Sequence, residues 1–307
     1  MSTSVPPRVV ALVPTWRAAA FIDATLQALA AQSYPNLEIL ISDDASPDGT
    51  AARCEAYAAR DPRVRLIRQL RNLGWTGNVN ALLQEARGDY LLFAFQDDLL
   101  EPSYIDRCVT ALEANPAAVM AFTDIVLMEQ DGRREPKSYA RLDAVTDRLV
   151  RARLIARQRG SWWIPNRGVF RASAREAIGG LRRHAAGEFS ADWPWLLHMG
   201  LLGEFVRVPA PLCTKIYQPH SLSRSWDFSL FSWSAVTLSA MAAVRRASIP
   251  PVEKLALHVT LARFLARHVW RKLRRGPGRL LRRLGLRSGH EPVVFSRSSE
   301  SAGRKTR

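Results

Sequence analysis

Two pairs of adjacent aspartates stand at the ends of apolar runs in this chain. Asp43 and Asp44 close the second run, and Asp97 and Asp98 close the fourth. A buried strand that ends in acid is costly unless a cation or a proton shares the charge. Hard cations such as Mg²⁺ or Mn²⁺ take oxygen ligands and commonly bridge one or two carboxylates to substrate phosphates. The later pair therefore predicts a site for a metal-bound phosphate compound, with a simple surface turn as the alternative.

Short apolar runs alternate with helical patterns through the first half of the chain, which predicts βαβ units and a mostly parallel sheet. The predicted strands cover residues 9–13, 37–42, 64–67, 90–95, 118–128 and 168–171. The predicted helices cover residues 18–32, 51–59, 77–86, 103–114, 145–157 and 174–178. Residues 133–143 are polar and are predicted to form a loop. Parallel strands end at one edge of a sheet, so both aspartate pairs are expected to face one crevice.

Composition and cysteine usage restrict the class of protein. The 307 residues are 47% hydrophobic and 23% charged, which is typical of a globular chain with a large core. The three cysteines (Cys54, Cys108 and Cys213) are far apart and not in metal-binding spacing, so they fit a reducing compartment. The first eight residues lack an apolar signal core. We therefore expect a cytoplasmic protein.

The positive charge is concentrated in one part of the chain, the basic C-terminal segment (residues 241–307). This segment holds 17 Lys and Arg against 3 Glu, so it accounts for +14 of the net charge of +16. A nearly neutral remainder argues against a nucleic-acid-binding protein. Arg263, Arg267, Arg271 and Arg274 fall near one helical face, which suits an anionic leaflet, with a solvated charge run as the alternative.

Within residues 226–286 we therefore expect a basic helical region that associates with the inner face of a membrane. Its uncharged run, Phe228–Val244, has 17 residues, which is marginal for a membrane span and favours an interior or interfacial helix. Residues 287–307 are expected to be disordered.

Several motifs in the chain resemble those of family 2 glycosyltransferases. The resemblance is dense over residues 8 to about 125 and looser over residues 160–225. The motifs are Val13-Pro14-Thr15-Trp16, the segments Gln32–Ile39 and Ser42–Thr50, Arg71-Asn72-Leu73-Gly74 with Asn78, Asn80 and Ala81, and Gly88-Asp89-Tyr90.

The resemblance implies a GT-A fold, a Rossmann-like sheet flanked by helices within residues 1–225. Its nucleotide-sugar half would be residues 1–125 and its acceptor half residues 126–225. By the same likeness, the nucleotide-binding residues are Pro14, Thr15, Trp16, Asp43, Asp44, Asn72, Gly74 and Asp97. The ligands of a divalent cation, Mn²⁺ or Mg²⁺, would be Asp97, Asp98 and His220.

The resemblance also implies a catalytic base. Ala191-Asp192-Trp193 is similar to the family's acidic motif, with Ala191 in place of the usual Glu. Asp192 is therefore expected to deprotonate the acceptor hydroxyl, and the alternative is that it only caps a helix. A second departure is Phe95, which stands where the first acid of the family's D-x-D motif would fall. Trp162-Trp163 is expected to form either an acceptor platform or part of the core.

The sequence thus favours an inverting glycosyltransferase (EC 2.4 class) that moves a sugar from a nucleotide-diphospho-sugar to a hydroxyl. The expected acceptor is a glycan or a lipid-linked molecule in bacterial cell-surface polysaccharide or glycolipid assembly. One alternative is a non-catalytic homologue that binds nucleotide sugar or a partner. Phe95 and Ala191 favour this alternative, because each stands where the family usually has an acid. A sugar-phosphate nucleotidyltransferase would need a Gly-rich loop where Pro14–Arg17 stands. Nucleic-acid binding through the basic C-terminal segment is the remaining alternative.

Overall fold

The computed structural model describes residues 5–158, 160–218 and 225–283. Its strands are β1 (Val9–Thr15), β2 (Leu37–Asp43), β3 (Val64–Arg68), β4 (Tyr90–Phe93), β5 (Asp98–Leu100), β6 (Ala118–Met128), β7 (Arg134–Lys137), β8 (Val169–Arg171) and β9 (Glu204–Ile216). Its helices are α1 (Ile22–Ala30), α2 (Thr50–Ala58), α3 (Trp75–Glu85), α4 (Tyr104–Glu113), α5 (Arg148–Ala156), α6 (Ala172–Ile178), α7 (Asp192–Leu202), α8 (Leu230–Arg246) and α9 (Pro251–Arg283). Short 3₁₀ turns cover Ala140–Leu142 and Ile164–Arg167.

The strands form one sheet in the order β3-β2-β1-β4-β8-β6-β9-β5, with β7 beside β6. The first four neighbours run parallel, and β8 then joins β4 to β6 in antiparallel pairing. The pair β6–β9 is again parallel. The predicted α/β class is therefore confirmed, with a parallel nucleotide half and a second half that also contains antiparallel strands.

Buried apolar side chains build β1, and this strand is longer than the sequence predicts. All seven of its residues are buried, including Pro14, which was expected to end the strand. Pro14 pairs in register with Ser42 on one side, while pairing with β4 stops at Leu12. The missing N–H of Pro14 therefore falls beyond the last β4 pair and costs no ladder hydrogen bond.

The region after β4 also differs from the prediction. The strand ends at Phe93, so residues 94 and 95 of the predicted strand lie outside it, and residues 96 and 97 form a turn. Asp98 then begins β5, which pairs antiparallel with β9 through Lys215. The sequence did not predict β9, although this strand places Lys215 beside Asp97 in the turn before β5, which we call the acidic turn.

The chain divides into two compact units, and the division falls after Leu265. In the first unit, α7 packs against α5 and α8, and Leu261 is buried while Arg263 is exposed. The uncharged run 228–244 is thus mostly the helix α8, as expected. The proposed domain boundary at residue 225 stays a prediction.

In the second unit, Arg267, Arg271 and Lys272 are exposed, and the Arg274 guanidinium lies 4.0 Å from the centre of the Trp270 ring. None of the helices in the described part of the chain is long and apolar enough to cross a membrane. The disorder expected for residues 287–307 lies outside the described residues.

Candidate active site

The segment after β1 supplies an exposed aromatic ring. Pro14 and Thr15 are buried, whereas Trp16 is 43% exposed. Gln96 holds the Trp16 backbone on both sides, because its Oε1 accepts from the Trp16 N–H at 2.8 Å and its Nε2 donates to the Trp16 carbonyl at 3.2 Å. Of the three residues expected to line the base pocket, Trp16 is the one that presents its side chain to solvent, where a base could stack.

The first aspartate pair ties β2 to the loop before α3. Asp43 and Asp44 are each only 2% exposed. Asp44 Oδ1 accepts from the Leu73 backbone N–H at 2.6 Å, and Asn72 Nδ2 donates to the Asp44 carbonyl at 3.2 Å. Burial raises the pKa of Asp44, and the backbone hydrogen bonds of the loop oppose part of that rise. The structure therefore brings Asp43, Asp44 and Asn72 together at one strand end.

Gly74 allows an acid from the acceptor half to approach α3. Its φ is +76°, and an added Cβ would lie 2.2 Å from Arg183 Nη2 and 2.7 Å from Glu188 Oε1. Glu188 accepts from the backbone N–H groups of Trp75 (3.1 Å) and Thr76 (2.9 Å), the first two residues of α3. A carboxylate at a helix N-terminus is favoured by the free N–H groups and by the helix dipole. Glu188 thus links the two halves beside the predicted nucleotide site.

The second aspartate pair divides into a buried and a more accessible acid. Asp98 is 3% exposed, and its Oδ2 lies 2.5 Å from Arg167 Nε. Burial raises the pKa of Asp98, and the Arg167 charge opposes that rise. Asp97 Oδ2 lies 3.4 Å from Lys215 Nζ. To bind a metal, Asp98 would have to give up its ion pair with Arg167, whereas Asp97 would give up only its longer contact with Lys215.

Phe95 occupies the position of the missing acid, and its ring packs under a cation. The Arg167 guanidinium lies 5.0 Å from the centre of the Phe95 ring and 5.0 Å from that of Trp163. Such stacking is a favourable cation–π contact. Trp162 lies edge-on to Trp193, with ring centres 6.4 Å apart. Both tryptophans therefore have packing partners, and their role as an acceptor platform stays a prediction.

Asp192 is the first residue of α7 and is held by one amide. Asn166 Nδ2 donates to Asp192 Oδ2 at 2.5 Å. The other oxygen, Oδ1, is buried and has no hydrogen-bond partner among the described residues. Burial raises the pKa of Asp192 to about 6, although N–H groups of the first turn of α7 and the Arg167 charge oppose the rise. A carboxylate that titrates near the working pH is suited to general-base catalysis.

Comparison with known proteins identifies the family. A family model described as glycosyl transferase family 2 matches residues 10–178, more than half of the chain. The chain belongs to glycosyl transferase family 2. An uncharacterized glycosyltransferase of Haemophilus influenzae is 31% identical over 128 residues, which cover 41% of this chain and 40% of that protein. The putative teichuronic acid biosynthesis glycosyltransferase TuaG of Bacillus subtilis is 28% identical over 154 residues, covering 48% of this chain and 61% of TuaG.

Solved structures of glycosyltransferases share the fold. Residues 1–349 of S. aureus TarS, in complex with UDP-GlcNAc, superpose with a TM-score of 0.67 at 19% identity, covering 85% of this chain and 72% of that one. The mannosyltransferase PcManGT of Pyrobaculum calidifontis, in complex with GDP-Man and Mn²⁺, gives a TM-score of 0.55 at 16% identity, covering 91% of this chain and 81% of that one. The predicted GT-A fold is confirmed. The chain spans less than two thirds of the length of the curated relatives just described.

A divalent cation is typical of family 2 enzymes, and the described residues meet its needs only in part. They contain no group of three or more His, Cys, Asp or Glu side chains that could hold a metal ion. Mg²⁺ usually takes one or two protein carboxylates and completes its shell with water and substrate phosphates. Asp97 can supply one such carboxylate. His220, the other expected ligand, lies outside the described residues.

Several residues around the candidate site were not predicted from the sequence. Glu188 comes four residues before Asp192 and lacks a motif of its own. Asn166 and Arg167 lie in an irregular 3₁₀ turn, and Lys215 lies in the unpredicted strand β9. Their contacts with Thr76, Asp192, Asp98 and Asp97 join residues that are distant in sequence, so no local spacing could have indicated these pairs.

Proposed function

We propose that the protein transfers a sugar, with inversion, from a nucleotide-diphospho-sugar to a hydroxyl group of a glycan or lipid-linked acceptor. The observation that carries this proposal is the turn Ile164–Arg167, which contacts both ends of the site. Arg167 pairs with Asp98 next to the strand-end acid Asp97, and Asn166 binds Asp192. The acid beside Asp97 and the candidate base are thus bound by two adjacent residues of one short, buried segment.

The nucleotide half would bind the donor. Trp16 would stack on the base, and Asp43 and Asp44 with the loop that holds Asn72 and Gly74 would contact the base or ribose. Asp97 would lie near the diphosphate. Lys215 Nζ beside it carries a positive charge that would also stabilise the phosphates. These roles are the ones that the family resemblance implies, assigned to residues near one edge of the sheet.

Asp192 would act on the acceptor. As the acceptor oxygen attacks the anomeric carbon, Oδ1 takes the hydroxyl proton, and the bond from the anomeric carbon to the diphosphate oxygen breaks. The nucleoside diphosphate leaves with the bonding electrons, and attack from the opposite face inverts the anomeric centre. Base catalysis of this kind typically contributes about 10²–10⁴-fold. The pKa of about 6 keeps most Asp192 ionised at neutral pH.

A bound Mn²⁺ or Mg²⁺ would supply charge stabilisation of the leaving diphosphate. Among the described residues, Asp97 would hold it, and Asp98 could join only if its ion pair with Arg167 opened. His220 stays a predicted ligand.

The acceptor class and location are inferred from relatives and from charge. TuaG is named for teichuronic acid biosynthesis, and EpsE of the same bacterium is a putative glycosyltransferase. We infer bacterial cell-surface polysaccharide or glycolipid assembly at the cytoplasmic side of the membrane. The exposed cations Arg267, Arg271 and Lys272 would bind anionic lipid, at about 1 kcal/mol each near the surface. Sedimentation with phosphatidylglycerol vesicles, but not phosphatidylcholine vesicles, would support this.

A panel of nucleotide sugars with Mn²⁺ or Mg²⁺, scored for nucleoside diphosphate release with and without glycan and lipid-linked acceptors, tests the transfer reaction. Release with one donor, lost in Asp192→Asn, supports the proposal and names the donor. NMR of the first-formed product distinguishes inversion from retention. Calorimetry of nucleoside diphosphates with and without metal tests Asp97 separately, through Asp97→Ala.

A second candidate is a homologue that binds nucleotide sugar without transferring it. Phe95 in place of an acid is the observation that favours it, because the ring is packed under Arg167 and leaves one fewer ligand for a metal. Donor binding by calorimetry, with no release in the presence of any acceptor of the panel, would favour this candidate.

A further inference from the structure

The geometry points to Asn166 as the positioning residue of the catalytic base. We propose that its amide fixes Asp192 so that Oδ1 is the oxygen that receives the acceptor proton. The inference rests on the proposed function and adds a residue that no motif of the sequence indicates.

The contacts of Asp192 are unequal. Oδ2 accepts from Asn166 Nδ2 at 2.5 Å, whereas Oδ1 is buried without a partner among the described residues. A buried carboxylate oxygen without a hydrogen bond is costly. An acceptor hydroxyl that donates to Oδ1 would satisfy it, and the same hydrogen bond is the path of proton transfer. The amide of Asn166 leaves that one oxygen for the substrate.

The backbone of Asn166 is held firmly, while its side-chain Oδ1 is buried without a partner among the described residues. The residue is 3% exposed and lies in the 3₁₀ turn, in which the Asn166 N–H donates to the Trp163 carbonyl at 3.2 Å. The hydroxyl of buried Tyr104 donates to the carbonyl of the next residue, Arg167. A Cβ at Gly168 would lie 2.6 Å from the Ala121 carbonyl of β6, so the turn approaches the sheet more closely than another residue type would allow.

The same turn connects the base to the donor side. Arg167 pairs with Asp98 at 2.5 Å and stacks on Phe95, and its charge also lowers the pKa of Asp192. Asn166 and Arg167 thus join the candidate base to the end of β4 through two adjacent residues.

The test compares Asn166→Ala with a control, Asn115→Ala, in the full chain with the donor and acceptor identified by the panel. Asn115 also donates a side-chain hydrogen bond to an acid, Glu204 Oε2 at 3.2 Å, but lies outside the site. Asn166→Ala should lower kcat about 10- to 100-fold, which is less than removal of the base itself, and leave the donor KM within about twofold.

The pH profile separates positioning from a structural role. Asp192 must be ionised to act, so activity rises with pH through its pKa. Loss of a donor to the ionised form raises that pKa, and the acidic limb of kcat should move up by about one pH unit. Asn115→Ala should keep both kcat and the limb. If Asn166→Ala lowers kcat with an unmoved limb, or leaves kcat unchanged, the inference is overturned.

A second variant guards against misfolding. Asn166→Asp keeps the shape of the side chain but places a second carboxyl group beside Asp192. The two groups would share a proton, so the last proton leaves the pair at higher pH and the pH profile of kcat changes shape. A profile that superimposes on that of the original protein would overturn the inference. If the original protein shows no transfer at all, or Asp192→Asn is as active as the original, the proposed function fails instead, so the two failures are distinguishable.

Discussion

Asp44 and Asp192 are both carboxylates whose pKa burial raises, yet their hydrogen bonds differ. Asp44 in the nucleotide half accepts from the Leu73 N–H within its own protein and fixes a loop. Asp192 in the acceptor half has one oxygen occupied and one buried oxygen without a partner among the described residues. Asp44 is thus already bound to a loop of its own protein, whereas Asp192 keeps one oxygen for a substrate. The contrast concerns these two acids, because Asp43 Oδ1 in the nucleotide half is likewise buried without a partner among the described residues.

The variant with the largest expected effect is Asp192→Asn. If Oδ1 receives the acceptor proton, kcat should fall about 10²–10⁴-fold, while the affinity for nucleoside diphosphate stays unchanged. Asp106→Asn is the matched control, because Asp106 is likewise a first-turn acid, on α4, but is exposed. Transfer assays and calorimetry measure the two quantities. A kcat within a few-fold of the original would remove Asp192 from the mechanism.

Asp44→Ala should show the reverse pattern. It removes the acceptor of the Leu73 N–H but keeps the Asp44 carbonyl that binds Asn72, and a hydrogen bond to a charged group is worth about 1.5–3 kcal/mol. Nucleotide affinity should weaken by about tenfold or more, while kcat at saturating donor changes little. Asp44→Asn keeps the shape and an acceptor oxygen, so calorimetry should show a smaller loss. Equal losses in both variants would mean that charge, and not the tether, sets affinity.

The raised pKa of Asp192 also predicts a stability effect with a definite sign. The folded carboxyl has a pKa of about 6 against 3.8 as its ordinary value, so the folded state binds more protons between these values. Stability from this group is therefore lost as pH rises through that window. Asp192→Asn should raise the free energy of unfolding at pH 7 by about 1–3 kcal/mol, and by much less at pH 4. Urea unfolding at both pH values checks this, and an equal gain at both would contradict it.

The remaining expected effect is on stability, at the link between the halves at Gly74. Gly74→Ala should cost about 1–3 kcal/mol from its backbone conformation (φ +76°, ψ 168°), which is essentially restricted to glycine, and more from the approach to Arg183 and Glu188. Gly132→Ala is the matched control, since its φ is +81° and no atom lies within 4 Å of the added Cβ. Denaturant unfolding should show a larger loss for Gly74→Ala. Equal losses would show that Arg183 and Glu188 move aside freely.

Local sequence pattern predicted the nucleotide half well, because its strands are short buried runs followed by amphipathic helices. Strands β1 to β4 and both aspartate pairs lie where periodicity and spacing put them, within a few residues. The unpredicted strand β9 contains Pro209 and Pro211, and its pairing with β6 shifts register near Asp124. Irregular strands of this kind have no clean period-2 pattern.

The candidate site could be predicted only where residues belong to motifs. Asp97 and Asp192 are motif positions, whereas Asn166 and Lys215 act through partners 26 and 118 residues away. Such pairs depend on how strands cross, which single-sequence patterns do not contain. The roles of the predicted site residues stay predictions until the variants above are measured.

The pairing of β5 with β9 also sets an order of events during synthesis. Lys215, the partner of Asp97, leaves the ribosome 118 residues after it, which takes roughly 6–24 s at ordinary bacterial and eukaryotic elongation rates. Strands β1 to β4 can pair in that interval, but β5 has no β9 to join until residue 216 has emerged. The nascent chain therefore acquires its nucleotide-half sheet well before the acidic turn is completed.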